Sequence, residues 1–223
     1  MILKNNKGFT LIEILVSLLI FSLAMIAIYS TFRSQHRSYY VQEQVVAMQQ
    51  NIRAAMFMME KELRMAGYDP TGSANSGIIT ATATSINFTK DLNSNGNNND
   101  SNENITYSLY TADGIQKLGR KNPTQNEPIA ENFDAIDFTY LDNNNAVLDD
   151  GGGTVSTNIS NITSIIVSIV AKSRQAEEGY NNTNAYNIRL PDGSQKLIYQ
   201  APGDNFRRRL LSSQIKCRNL SLN

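Results

Sequence analysis

The chain has one cysteine and one histidine in 223 residues. With Cys217 alone, no internal disulfide can form. One His and one Cys also cannot supply the four nitrogen and sulfur ligands of an ordinary zinc site. Any nucleophile–histidine pair would have to recruit His36, which sits just beyond a long apolar run. Catalysis is therefore not expected of this chain. Net charge is missing as well, because 20 basic and 20 acidic side chains cancel. Nucleic-acid surfaces carry a basic excess or stripe, so no nucleic-acid partner is expected. Neither Gly nor Pro occurs between Phe9 and Ala66, and nothing there would interrupt a helix.

The first eight residues, Met-Ile-Leu-Lys-Asn-Asn-Lys-Gly, are short and basic through Lys4 and Lys7. An apolar stretch follows. From Phe9 to Tyr29 there are 21 residues, which as a helix would span roughly 30 Å, the thickness of a bilayer core. A secretory signal would be shorter and would end in a small-residue cleavage site. Here Ser30-Thr31-Phe32-Arg33 follows instead, so the segment reads as a retained membrane helix. Lys4 and Lys7 before the span nearly balance Arg33 and Arg37 after it, and the large polar C-terminal part favours a cytoplasmic leader. Glu13 stands out. A carboxylate in a spanning helix costs on the order of 2.5–3.5 kcal/mol at the centre and less near an end. Position alone allows two readings: Glu13 lies at headgroup level and needs no partner, or it has one.

The string Lys7-Gly8-Phe9-Thr10-Leu11-Ile12-Glu13 resembles the processing motif of type IV prepilins and type II secretion pseudopilins. The resemblance implies cleavage between Gly8 and Phe9 by a prepilin peptidase and N-methylation of Phe9. It also implies that Glu13 meets the Phe9 amine of a neighbouring subunit during assembly. Glycine at the cut suits this, since it lets a protease approach the backbone closely.

Helical periodicity continues past the span. Val41, Val45, Met48, Ile52, Ala55, Met56, Met59 and Leu63 form one apolar stripe at spacings of three and four. Met56, Met58, Met59 and Met65 read as core filler. Gly67 and Pro70 supply a stop. Beyond it the grammar changes to short β-type runs between Asn- and Gly-rich turns. These include 78–89, 104–110, 115–118, 133–141, 146–148, 162–170, 195–200 and 208–220, with 162–170 the central strand. The expected fold is α+β. A long N-terminal helix, transmembrane and then amphipathic, packs on an antiparallel sheet head, because neither apolar face can be buried alone. The type IV pilin resemblance implies the same architecture. The expected divisions are a leader at 1–8, a spanning half-helix at 9–30, an amphipathic half at 31–68 and the head at 69–223.

The segments 49–70 and 207–220 resemble the corresponding regions of PilW-type minor pilins. That implies a structural subunit of a type IV pilus acting in filament initiation or in a tip complex. A minor pseudopilin of a type II secretion system, or a tip adhesin or DNA-uptake component, are the alternatives. Implied partners are major and minor pilins, prepilin peptidase and, indirectly, an inner-membrane assembly platform with its ATPase. The implied location is the bacterial inner membrane, head outside the cytoplasm, and then the surface pilus.

Other candidate sites are weaker. Asp91, Asn93 and Asn95 stand at positions one, three and five of a loop with Gly96 at six, as in a calcium loop. Asn102 occupies position twelve, where a bidentate Glu belongs, and Glu103 comes one residue late. With so few carboxylates the plain reading is a flexible Asn/Ser loop without a cofactor. Were calcium bound, Asp91, Asn93, Asn95 and Asp100 would be its ligands. Asp149-Asp150 before Gly151-Gly152-Gly153 reads as a turn, since no helix and no P-loop Lys follow. Arg207-Arg208-Arg209 reads as a solvated strand end or an intersubunit contact.

Overall fold

The structure is a computed structural model and describes residues 8–220. The two leader lysines, Lys4 and Lys7, lie outside the described residues. The chain divides into two compact units, residues 1–43 and 44–223.

The first unit is helical. Helix α1 (Leu11–Leu63) runs for 53 residues and continues into the second unit. Every residue from Leu11 to Tyr40 is exposed, including Leu15, Leu19, Phe21, Leu23, Ile26 and Ile28. This helix is long and apolar enough to cross a membrane. Three of its hydroxyls bond back to its own carbonyls. Ser17 Oγ donates to the Glu13 carbonyl, Ser22 Oγ to that of Leu19 and Thr31 Oγ1 to that of Ala27. Hydroxyls bonded to their own helix need nothing from their surroundings, as hydrocarbon requires.

In the second unit the same helix becomes amphipathic. Met48, Ile52, Ala55, Met56, Met59 and Leu63 are buried, while Gln50, Arg53, Lys61 and Arg64 face outward. Of the four methionines expected in the core, Met56 and Met59 are buried and Met58 and Met65 only half-buried. The regular helix ends three residues before Ala66. There Met65 N–H and Ala66 N–H bond to the carbonyls of Glu62 and Leu63 in a tighter turn. Gly67 then takes φ of +78°, and a Cβ there would meet Leu220 Cδ2 at 2.6 Å. Both the left-handed backbone and the close approach demand glycine.

Among the described residues the head is antiparallel throughout and forms three sheets rather than one. Strands β1 (Ile78–Ala81), β2 (Ser85–Thr89), β3 (Asn104–Ala112), β4 (Ile115–Lys121) and β5 (Asn126–Glu131) form a meander in chain order. Strands β6 (Phe133–Leu141), β7 (Val147–Leu148), β8 (Ser164–Lys172) and β11 (Arg208–Lys216) form a second sheet, ordered β11-β8-β6-β7. Strands β9 (Ala185–Arg189) and β10 (Gln195–Gln200) make a separate hairpin. A 3-10 turn at Ile159–Asn161 leads into β8, where Ile159, Ile162 and Ile166 keep helical spacing. Asp113 and Gly114 turn β3 into β4 with φ of +55° and +73°, the pair a type I′ hairpin needs.

One core joins helix and sheets. Ile52, Met59 and Leu63 pack with Phe88, Tyr107, Leu118, Phe133, Phe138, Ile165 and Val167. Full burial of each large apolar side chain contributes about 1.5–3 kcal/mol. Strand β8 is buried on both faces, as an apolar run interrupted only by Ser168 demands. Ile165 and Val167 enter the main core, whereas Ile166 joins Leu141 and Ile188 in a smaller cluster beneath the hairpin.

Candidate functional site at the start of the long helix

Gly8, Phe9 and Thr10 precede the first helical residue, Leu11. All three are exposed, Phe9 at 84%. A Cβ on Gly8 would meet nothing within 4 Å, so packing does not explain the glycine. Thr10 caps the helix. Its Oγ1 accepts from Glu13 N–H at 3.3 Å, while its own N–H and hydroxyl donate to Glu13 Oε2 at 2.8 and 2.9 Å. This reciprocal pairing is a capping box. The Glu13 carboxylate thus has partners within its own chain, and an anion at a helix N-terminus also meets the positive end of the helix dipole. The pattern Thr-x-x-Glu carries this signal in the sequence, beside the charge of Glu13.

The Asn-rich loop is held by its own bonds. Asp91 is fully buried, and its two carboxylate oxygens accept N–H bonds from Asn95 at 3.2 Å and Gly96 at 3.0 Å. Asp100 Oδ2 accepts from the amides of Asn93 at 2.9 Å and Asn95 at 2.8 Å. These two bonds hold the Asp100 carboxyl below its ordinary range. Gly96 has φ of +76°, and a Cβ there would lie 2.6 Å from Ser73 Oγ. Glu103, absent from the expected ligands, is 1% exposed. Among the described residues no three His, Cys, Asp or Glu side chains gather in one group suited to a metal.

The remaining candidates are structural. Asp149 Oδ1 accepts N–H bonds from Gly151 and Gly153, both at 2.8 Å, so that turn closes on its own carboxylate. Asp150 accepts four bonds from Ser156 and Thr157, which pull its carboxyl down to about 2. The arginine triplet departs from the expected solvated end. Arg207 pairs with Glu177 and lies over the Tyr180 ring at 4.5 Å, and only Arg209 is exposed. The Arg208 side chain is 2% exposed and bonds to Asp134 at 2.6 Å and to both oxygens of Asp204. Asp204 stands four residues before it, but Asp134 comes from 74 positions away, where no local pattern announces it.

Comparison with known proteins places these features in a family. A solved type IV-like pilin from Thermus thermophilus is 14% identical, with a TM-score of 0.49 over 77% of this chain and 96% of its own. No curated protein matches the chain. Residues 3–29 match the prokaryotic N-terminal methylation motif. Residues 41–190, more than half of the chain, match prepilin peptidase-dependent protein B. The chain is therefore a member of the prepilin peptidase-dependent protein B family and, with its methylation motif, a type IV pilin-like protein.

Proposed function

We propose that the chain is a minor pilin that joins the initiating or tip complex of a type IV pilus, by a mechanism centred on Glu13. Before assembly the subunit waits in the inner membrane, head outside the cytoplasm, with the carboxylate held by Thr10. Prepilin peptidase cuts between Gly8 and Phe9, where the backbone is open, and the new Phe9 amine is methylated. Both Thr10 bonds fall on Oε2, so Oε1 is the oxygen that a sister subunit's Phe9 amine takes. An assembly platform and its ATPase then lift the helix out of the bilayer. The observation that carries this reading is a capped carboxylate heading a helix whose apolar first half is exposed, with the Phe9 nitrogen one residue before the cap. The PilW-like segments at 49–70 and 207–220 support the pilus assignment within the broader class of minor pilins and pseudopilins.

Glu13→Ala should still insert and still be cleaved, yet reach sheared filaments at a small fraction of the parent level in immunoblots. Parental incorporation of that variant defeats the mechanism. Deletion of the gene tests the assignment separately, since loss of surface pili supports it and loss of protein secretion with intact pili overturns it.

A further inference from the structure

We infer that the open edge of β11 is a docking site for an extended strand of a different membrane-anchored subunit. β11 is the last strand of its sheet, and only β8 lies beside it. Ser173 N–H bonds to the Arg207 carbonyl at 2.7 Å and Cys217 N–H to the Thr163 carbonyl at 2.9 Å, one beyond each end of the ladder. These two bonds fix the alternation of the antiparallel pair. Odd-numbered residues from Arg209 to Ile215 bond to β8, and even-numbered ones from Arg208 to Lys216 turn their N–H and C=O groups away from it. Among the described residues nothing bonds to the outward groups of Leu210, Ser212 and Gln214. The other edges are short or broken. β1 has four residues and a bulge, β5 holds Pro128 beside a bulge, β7 has two residues, and the β9–β10 hairpin is bulged. β11 pairs over nine residues with no bulge and no proline. Sheets protect their edges by those devices, and a long edge left without them is suited to strand addition. Leu210 and Leu211, on its two faces, are half-buried, so an added strand also covers apolar surface.

The occupant is not a second copy. α1 passes β11 in the same direction, since Ser213 Oγ donates to Glu60 and Asn219 Nδ2 to the Arg64 carbonyl. Two β11 strands related by a two-fold axis pair antiparallel, because a parallel ladder gives its two strands different bonds. Antiparallel pairing turns the two Gln44 ends of α1, each continuing into the apolar half-helix, opposite ways, and one membrane cannot hold both. Pairing about Ser212 also sets Arg208 against Lys216 at both ends. A different subunit escapes both constraints. The edge has an uncharged centre, Leu210 to Ile215, between the exposed Arg209 and Lys216. It fits a strand that is uncharged at its centre and carries a carboxylate near each end. That class of partner rests on the pilin reading above.

The test is made on the full chain in its own cells. The photo-reactive residue p-benzoylphenylalanine replaces Gln214, the cells are irradiated, and the joined peptides are sequenced by mass spectrometry. The expected result is one adduct, to a different chain that carries its own N-terminal methylation motif. Ser212→Pro removes an outward N–H, as an edge strand tolerates, and should cut that adduct at least tenfold. Ser212→Ala loses the same hydroxyl contact with Ser168 but keeps the N–H, and should leave the adduct within about twofold of the parent. The amides of Leu210 and Ser212 should exchange hydrogen at least tenfold more slowly in the purified adduct than in the detergent-isolated chain, which decides the matter where Ser212→Pro melts below Ser212→Ala. Absence of an adduct, an adduct to a second copy, equal adducts from both Ser212 variants or unchanged exchange overturns the inference. Absence of an adduct from a chain still present in sheared filaments leaves the pilin reading standing. A proline-sensitive adduct to a secretion-system subunit upholds the edge and overturns the pilus assignment.

Discussion

Single residues in this head take their roles from partners far along the chain. Arg208 reaches Asp134 across 74 positions and also holds Asp204, with Tyr199 beneath its guanidinium at 5.3 Å. Removing one member of a buried pair strands the others, at a cost of about 3–5 kcal/mol. Arg208→Ala should therefore lower stability by about 3 kcal/mol in chemical denaturation of the detergent-solubilised protein, whereas Arg209→Ala should fall within about 0.5 kcal/mol of the parent. This contrast inside one triplet was not legible in the sequence, where three adjacent arginines are chemically identical. Cys217, within the β-type run 208–220, reads from residue type alone as a small hydrophobe. It is fully buried, and burial pushes its thiol up to about 12. By contrast, the Gly8–Phe9–Glu13 motif is local, so its elements could be named from residue types alone.

At the scale of elements, the joint between α1 and the first sheet depends on Glu62. It accepts from Arg120 Nη2 at 2.8 Å and from the Tyr107 hydroxyl, with Lys90 at 3.9 Å. Burial pushes the Glu62 carboxyl up, but the Arg120 and Tyr107 bonds and the Lys90 charge outweigh it and leave it below the ordinary 4.5. A lowered carboxyl contributes stability that is fully present above the unfolded value and lost as pH falls through the folded one. The cost of Glu62→Gln, read from denaturation midpoints, should thus be constant near neutrality and shrink as pH drops below about 4.5. A cost independent of pH down to the acid transition would remove the charge from this account. The helix itself was legible because its 3.6-residue stripe needs no knowledge of the partner, and β8 because only Ser168 interrupts its apolar run. Strand β9 was hidden in an Asn-rich stretch, since only its pairing with β10 makes Ala185–Arg189 extended. Strand β5 was hidden by Pro128, which an edge strand tolerates.

For the molecule as a whole, processing is the decisive measurement. Mass spectrometry of the protein isolated from cells with prepilin peptidase should give a chain that begins at N-methylated Phe9, and retention of residues 1–8 would contradict the proposed maturation. The division of labour between an apolar rod and a polar head was legible from composition, because a long uncharged run and an Asn-rich remainder call for different solvents. The three-sheet arrangement was not, because sheet membership is set by long-range register rather than by the pattern of any one strand. The stretch from Ile14 to Ile28 shows its surroundings only apolar side chains and the self-satisfied hydroxyls of Ser17 and Ser22. Lipid tails are as apolar as neighbouring helices, so exchanging one environment for the other changes little hydrophobic free energy. Such a rod has no strong preference for either home. Whether it advances or withdraws is then decided by work done on it from outside, and traffic in both directions comes at comparable energetic cost.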